Sequence, residues 1–473
     1  MNSLRSHSYS IPPSVRIRVL LMLVLSCLLL AANARGADSD GTDIRLSNGM
    51  HVIFKPDHRS PVAVSLLCYR VGSMDEFNGT TGVAHALEHM MFKGTPDVPA
   101  GQFSRLISAA GGRENASTGK DATCYFEILQ KSKLDLALRL EADRMTHLTL
   151  AASDFAEEIK VVMEERRMRT DDQPHALVYE HLMAAAFMAN PYRRPVIGWM
   201  NDLEHLRIQD VRHFYHEWYA PNNAVLVIVG DFKPDDAFAR ARRYFGDIKS
   251  SQLPLRKPQI EPPQRGIRRI AVKAPAELPF LLMGWHVPVL RDAKTDWEPY
   301  ALDVLVGVLD GNGAARLPRI LVKENGVAND VDAGYSDTSR GPGMFYVSAT
   351  PAIGKTVPQA EAAVRALLQQ LIDNGITPDE LARVKAQVVA DQVYARDSIF
   401  FQARQIAMTE MAGIPYTTLD LQIEKLKQVT AEQVQQVAKK YLKDDNLTLA
   451  YLVPQPLHGR KPAPPHGIPH EVH

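Results

Sequence analysis

The sequence is poor in cysteine, has no excess of either charge and has no apolar run long enough to span a bilayer. Three cysteines in 473 residues exclude a disulfide-built scaffold. Basic and acidic side chains number 54 each. That balance argues against nucleic acid as the main partner, which would favour a basic surface. With 45% hydrophobic and 23% charged residues, collagen-like and disordered classes are excluded for the bulk of the chain. The uncharged apolar run Val19 to Ala32 covers 14 residues, whereas a membrane span takes about 20.

That run lies at the N-terminus. Arg5, Arg16 and Arg18 precede it, and Ala32-Asn33-Ala34 supplies small residues where a signal peptidase reads. Residues 1–34 are therefore expected to be a cleaved secretory signal. The mature chain is slightly acidic, unattached to membrane, and placed in a bacterial periplasm or outside the cell. Cys68 and Cys124 both lie in strand-like text. Export permits a disulfide between them, but two buried thiols are the simpler expectation.

The length allows two or three domains, and the pattern reads as two similar halves. Residues 43–71 read as strand, turn, strand and a further strand, with Asn48-Gly49 marking the hairpin. Helical patterns follow near 81–93, 101–110, 132–145, 153–170 and 208–218, then an apolar strand from Ala224 to Val229. Residues 251–266 hold Pro254, Pro258, Pro262 and Pro263, which marks a linker. The order then recurs, with strands at 280–287 and 344–350 and helices near 297–309, 357–373, 378–396 and 430–442. Tyr219-Ala-Pro-Asn-Asn-Ala-Val-Leu-Val and Tyr441-Leu-Lys-Asp-Asp-Asn-Leu-Thr-Leu each follow a helix, which suggests a duplication at an offset of 222 residues. The fold class expected is α+β: two homologous sandwiches at 43–250 and 267–453, each a mostly antiparallel sheet with helices packed on one face. Residues 454–473, rich in Pro and His, read as a disordered tail, although His458, His466, His470 and His473 have some capacity for metal.

One constellation carries chemistry. Residues 85–89 are His-Ala-Leu-Glu-His. On a helix His85 and His89 leave the same face about 6 Å apart, within reach of one tetrahedral zinc. Glu88 points to that side as well, placed to take a proton from a water that the metal activates. Met90-Met91-Phe92 continue the helix with apolar residues, so the site borders a core. A catalytic zinc usually takes three protein ligands. The segment Asp154 to Arg169 offers Glu157, Glu158, Glu164 and Glu165. Glu158 and Glu165 are two turns apart and share a face, but spacing leaves open whether that face looks into the site or into solvent.

His85-Ala-Leu-Glu-His89 is an inverted zincin motif, and its surroundings resemble the pitrilysin family of zinc metallopeptidases, which includes insulin-degrading enzyme and the mitochondrial processing peptidase. The likeness extends through Val71-Gly-Ser-Met-Asp-Glu76, Phe92-Lys-Gly-Thr95, Asp121-Ala-Thr-Cys-Tyr125, Asn190-Pro-Tyr192, Ile197-Gly198, Tyr219-Ala-Pro-Asn-Asn223 and Gly230-Asp231. It implies a zinc endopeptidase with one Zn²⁺ per chain. It also implies a third ligand in a Val-Val-x-x-Glu context, which Val161-Val-Met-Glu-Glu165 supplies. Glu165 is thus implied as ligand and Glu158 as the acid that supports the ligands. The family binds peptide as an added strand on a sheet edge, a role that Asn115 and Ala116 match. It further implies an Arg and a Tyr that hold the substrate carbonyl, for which Arg340 and Tyr346 are the candidates. The second half has Trp297-Glu-Pro-Tyr-Ala-Leu-Asp303 in place of the motif, so a single site is expected, in the first half. Family members built as one long chain carry twice as many such domains, closed around the substrate. A two-domain chain is therefore expected to pair, with itself or with a related chain lacking the zinc motif. The alternative reading is a non-catalytic or weakly active scaffold subunit of a two-chain peptidase. The intact set His85, Glu88, His89 and Glu165 favours the enzyme.

Overall fold

The computed structural model describes residues 42–457 and Gly459. The expected signal at 1–34 and His458, His466, His470 and His473 lie outside the described residues. The first half contains β1 (Thr42–Arg45), β2 (His51–Pro56), β3 (Val62–Tyr69), α1 (Val83–Met90), α2 (Gln102–Ala109), β4 (Arg113–Thr118) and β5 (Thr123–Gln130). It continues through α3 (Leu134–His147), α4 (Ala152–Arg166), α5 (Pro174–Ala186), α6 (Met200–His205), α7 (Ile208–Trp218), β6 (Ala224–Gly230) and α8 (Pro234–Phe245). The second half contains β7 (Arg268–Pro275), β8 (Leu281–Val287), α9 (Glu298–Asp310), β9 (Ala328–Gly334), β10 (Gly343–Pro351) and α10 (Val357–Asn374). It ends with α11 (Pro378–Ala395), α12 (Ile399–Met411), α13 (Leu419–Gln428), α14 (Ala431–Tyr441) and β11 (Leu447–Gln455), the last reaching into the stretch expected to be tail.

The duplication is plain in the strand order. The first sheet runs β1-β2-β6-β3-β5-β4 and the second β7-β11-β8-β10-β9. In both, the last strand of the half pairs in parallel with an early one (β6 with β2, β11 with β7) and the remaining contacts are antiparallel. The structural register differs by one residue from the one read in the letters. Ile208 at the start of α7 corresponds to Ala431 at the start of α14, and Asn223 to Asn446, an offset of 223. The two asparagines even repeat a bond: Asn223 Nδ2 donates to the Trp218 carbonyl at 2.9 Å and Asn446 Nδ2 to the Tyr441 carbonyl at 3.1 Å.

Each half packs its own helices on one face of its sheet. The opposite face is covered by a helix lent from the other half. β6 is buried along its whole length because both its faces are covered. Leu226 and Ile228 face α1 and α7, while Val225, Val227 and Val229 join Ile53, Val64 and Leu66 against Ala403, Ile406, Ala407 and Met411 of α12. In return, Val178, Leu182, Met183 and Ala186 of α5 pack on Val272, Leu282, Ala450 and Leu452 of the second sheet. The Pro-rich stretch at 251–266 has no helix or strand, yet it is tied down. Arg256 Nε donates to Asp75 at 2.7 Å, and Glu261 accepts from the amides of Met188, Ala189 and Asn190.

The two-thiol expectation is corrected. Cys68 on β3 and Cys124 on β5 stand opposite each other in register, with Cα atoms 4.1 Å apart, and form a disulfide. Only the strand register, which the letters do not show, puts the two sulfurs face to face.

Candidate metal centre

The helix that carries His85 and His89 is short and held at both sides. Its N-cap Gly82 has φ +87°, and a Cβ there would meet the Ile197 carbonyl oxygen at 2.6 Å. Gly198, with φ +89°, would meet the Thr81 carbonyl oxygen at 2.5 Å. The two loops therefore touch backbone to backbone, a contact closed to any side chain. Glu76 accepts from the amides of Gly82 and Ala84, both at 2.9 Å, satisfying donors that the first helical turn leaves open. Asp202 accepts from Gly79 N, Thr81 N and the Thr81 hydroxyl. Residues 79–82, flexible by composition, are thus fixed. The rest of α1 buries Val83, Ala84, Ala86, Leu87 and Met90 in the first core.

Across from α1 lies α4, which settles which acids turn inward. The Glu157 and Glu164 side chains are 76% and 60% exposed and pair with Lys160 and Arg167 on the surface. Glu158 and Glu165 are 13% and 16% exposed and face the histidines. Val162, fully buried between them, packs with Ile197 and Leu203 and sets the rotation of the helix. His85 Nε2 lies 3.7 Å and His89 Nε2 3.3 Å from Glu165 Oε2. One ligand atom from each of the three residues falls within 4.8 Å of the others. Two donors on one tetrahedral zinc stand about 3.4 Å apart. The three side chains therefore fit that ion in donor type, number and spacing.

Neighbours orient each donor. His89 Nδ1 is 2.9 Å from Glu158 Oε1, which leaves Nε2 on the Glu165 side. Lys93 pairs with the other oxygen of Glu158. Arg169 Nε holds Glu165 Oε1 at 3.0 Å. The Thr118 hydroxyl, at the end of β4, donates to Glu88 Oε2. Burial pushes the Glu88 carboxyl up to about 7, against the pull of Thr118 and of His89. Burial also works against charge on His89, but Glu158 and Glu165 outweigh it and raise the imidazole to about 9. Burial would raise Glu165, yet His89, His85 and Arg169 bring it down to about 2. Glu158 is likewise lowered, by His89 and Lys93 over the burial effect. Thr118, Lys93 and Arg169 were not legible as site residues. Only their spacing of four from His89 and from Glu165 marked Lys93 and Arg169.

The remaining candidates lie elsewhere. Asn115 and Ala116 sit on β4, an edge strand of the first sheet, and Asn115 Oδ1 accepts from the Ala116 amide at 2.9 Å. Arg340 does not match a substrate clamp. Its guanidinium donates to both oxygens of Asp75, at 2.8 and 3.1 Å, and to the Asp121 carbonyl at 2.9 Å, with the side chain 12% exposed. Its charge is spent joining the halves. Tyr346 on β10 directs its hydroxyl to Tyr179 and Met183 of α5. Asp121 and Tyr192 belong to the same junction: the Tyr192 hydroxyl donates to Asp121 at 2.5 Å and accepts from the Gly341 amide.

Residues 51–199 match the family model described as insulinase, peptidase family M16, and residues 205–388 match the one described as peptidase M16 inactive domain. The chain is 30% identical over 422 residues to the zinc protease PqqE of Helicobacter pylori, covering 87% of this chain and 92% of that protein. A crystal structure of a protease from Helicobacter pylori superposes with a TM-score of 0.83 at 28% identity, over 88% of this chain and 99% of that one. The periplasmic protease PqqL from Escherichia coli shares the fold at a TM-score of 0.76 and 19% identity, over 91% of this chain but 49% of the PqqL chain. With its inverted histidine motif on α1 and its duplicated sheet order, the chain belongs to peptidase family M16.

Proposed function

We propose that the chain is an exported zinc-dependent endopeptidase that cuts peptides or unfolded protein segments. The observation that carries this reading is the convergence of His85, His89 and Glu165 beside the buried carboxylate of Glu88. His85, His89 and Glu165 would hold one zinc ion. When bound, zinc supplies Lewis acidity, which polarises a peptide carbonyl and lowers the pKa of a water at the site. Glu88 takes the proton of the attacking water at its carboxylate and passes it to the departing amine. Thr118 keeps that carboxylate in one orientation. Glu158 fixes the ring of His89, and Arg169 fixes the carboxylate of Glu165. The substrate lies as an added strand beside β4, with Asn115 yielding the Ala116 amide to it, so that backbone rather than side chains is read near the cut.

Export is supported by the apolar run behind three arginines and by the Cys68–Cys124 bond, which suits an oxidising compartment. Among the described residues no helix is long and apolar enough to cross a membrane. Pairing is supported by length: the PqqL chain is about twice as long, so a second chain would supply what its other half supplies. The partner is a second copy or a related chain without the zinc motif. The match to an inactive-domain model keeps a scaffold role in view, but that match begins at residue 205, beyond all four site residues.

Metal analysis tests the reading. Purified mature protein should carry about one zinc per chain, and His85→Ala should lose it. Full zinc content in that variant would refute the assignment. Light scattering tests pairing, and a monomer fully active on peptides at nanomolar concentration would refute it.

A further inference from the structure

We propose that a cavity beside β4, on the side of the first sheet away from the metal donors, is a specificity pocket for a large apolar side chain of the peptide. The inference rests on the endopeptidase reading above. Arg113, Asn115, Phe126 and Ile128 line it from the sheet, with Ser60 closing it from a loop and Phe400 from the first turn of α12. Its volume is about 700 Å³, within the range of ligand pockets.

The strand register says which side this is. Residues directly opposite each other in an antiparallel pair point to the same face. Ala116 pairs with Tyr125 and Thr118 with Thr123, and this face carries Glu88 and α1. Arg113 pairs with Ile128 and Asn115 with Phe126, on the face that α12 covers. A peptide added to β4 alternates in the same way. Residues level with Ala116 and Thr118 turn toward the metal donors. Residues level with Asn115 and Arg113 turn into the cavity. Glu88 is bonded at the level of Thr118, so the cavity reads side chains about three to five positions from the cut bond.

The lining defines the chemistry. The Phe126 and Phe400 rings lie 4.4 Å apart between centroids and form an apolar wall with Ile128 and Ile399. At the rim, Arg59 is matched by Asp57 at 3.0 Å and Asp397 at 3.3 Å, so it offers little to a charged ligand. Arg59 and Arg113 are largely offset by Asp57, Glu114 and Asp397 along the lining. A Phe or Leu fits the apolar wall. Because Phe400 comes from the second half, this pocket makes the half without metal donors part of substrate selection.

The test is cleavage of a peptide library in which single positions vary among Phe, Leu, Ala and Lys around one cut site, using the zinc-loaded full chain. Wild type should prefer Phe or Leu over Ala by about 10- to 100-fold at a position three to five residues from the cut. Ser60→Trp, which plugs the mouth from an exposed loop, should abolish that preference. Phe400→Ala should weaken it. A zinc content equal to that of wild type shows that both variants keep the fold around the metal donors. A preference unchanged in both variants, or absent from wild type while peptides are still cut, overturns the pocket and leaves the peptidase reading standing. No cleavage of any peptide by zinc-loaded wild type overturns both.

Discussion

The reciprocal cover of the two sheets makes the halves thermodynamically one unit, and Ile406→Ala measures this. Ile406 is 3% exposed on α12, wedged among Ala403, Ala407 and the apolar face of the first sheet. Truncation deletes buried carbons and leaves a cavity, at a cost of about 2–5 kcal/mol. That is a large share of the roughly 5–15 kcal/mol that holds a folded domain together. α12 belongs covalently to the second half but packs on the first. Loss of its anchor should therefore reduce hydrogen-exchange protection in β6 and in β11 together, by the same free energy. Mass spectrometry of exchange under native conditions resolves these strands as separate peptides. A control, Leu305→Ala in the second core, should give the same joint response. The reasoning fails if Ile406→Ala lowers protection in one sheet alone. It fails equally if residues 42–250, expressed without the second half, fold as a monomer with undiminished protection in β6.

Glu88→Gln should keep its zinc but lose cleavage by about 10²–10⁴-fold or more, since the amide keeps the shape and cannot accept the proton; metal analysis beside a peptide assay separates the two. Glu158→Gln should weaken zinc binding about 10- to 100-fold, because His89 Nδ1 loses a charged partner; competition with a chelating dye reads this. His51 bridges Asp43 on β1 and Glu410 on α12. Burial disfavours its charged form, but Glu410 and Asp43 outweigh that and raise its pKa above 6.5. A raised folded value stabilises below the unfolded pKa and ceases to do so as pH climbs through the folded one. Urea midpoints should therefore show His51→Gln destabilised at pH 5.5, with the deficit shrinking toward pH 9. A deficit that grows with pH would refute the assignment.

Much of this was readable because it depends on local period. The spacing of His85 and His89 places them on one helical face, and the hairpin at Asn48-Gly49 and the apolar run of β6 stand where their patterns put them. Contacts between distant segments were not readable. Spacing alone could not tell Glu158 and Glu165 from a solvated stripe, because the decision rests on Val162 packing against Ile197 and Leu203, more than thirty residues away. The pairing of Cys68 with Cys124 depends on sheet register. α5 and α12 each bury their apolar face on the other half's sheet, a pairing that no local period shows. Arg340 was drawn to the substrate by family likeness, while Asp75, some 265 positions earlier, holds its charge.

This last contact shows what the half without metal donors contributes. Asp75 ends the turn that precedes α1, and its side chain is 4% exposed. It is paired with Arg256 from the Pro-rich stretch and with Arg340 from the second half. A buried carboxylate is costly unless it is matched, and two guanidiniums match it only while both halves are in place. Glu76, the next residue, caps α1 and so fixes the pitch at which His85 and His89 leave the helix. The approach to α1 is therefore locked from outside its own half. In the second half α9 stands where α1 stands in the first, with Tyr300, Leu302 and Val304 buried in the second core and no histidine on the helix. The duplication has thus divided its labour: one half carries the candidate donors on α1 and α4, and the other carries the arginine that holds the turn before α1 in one position.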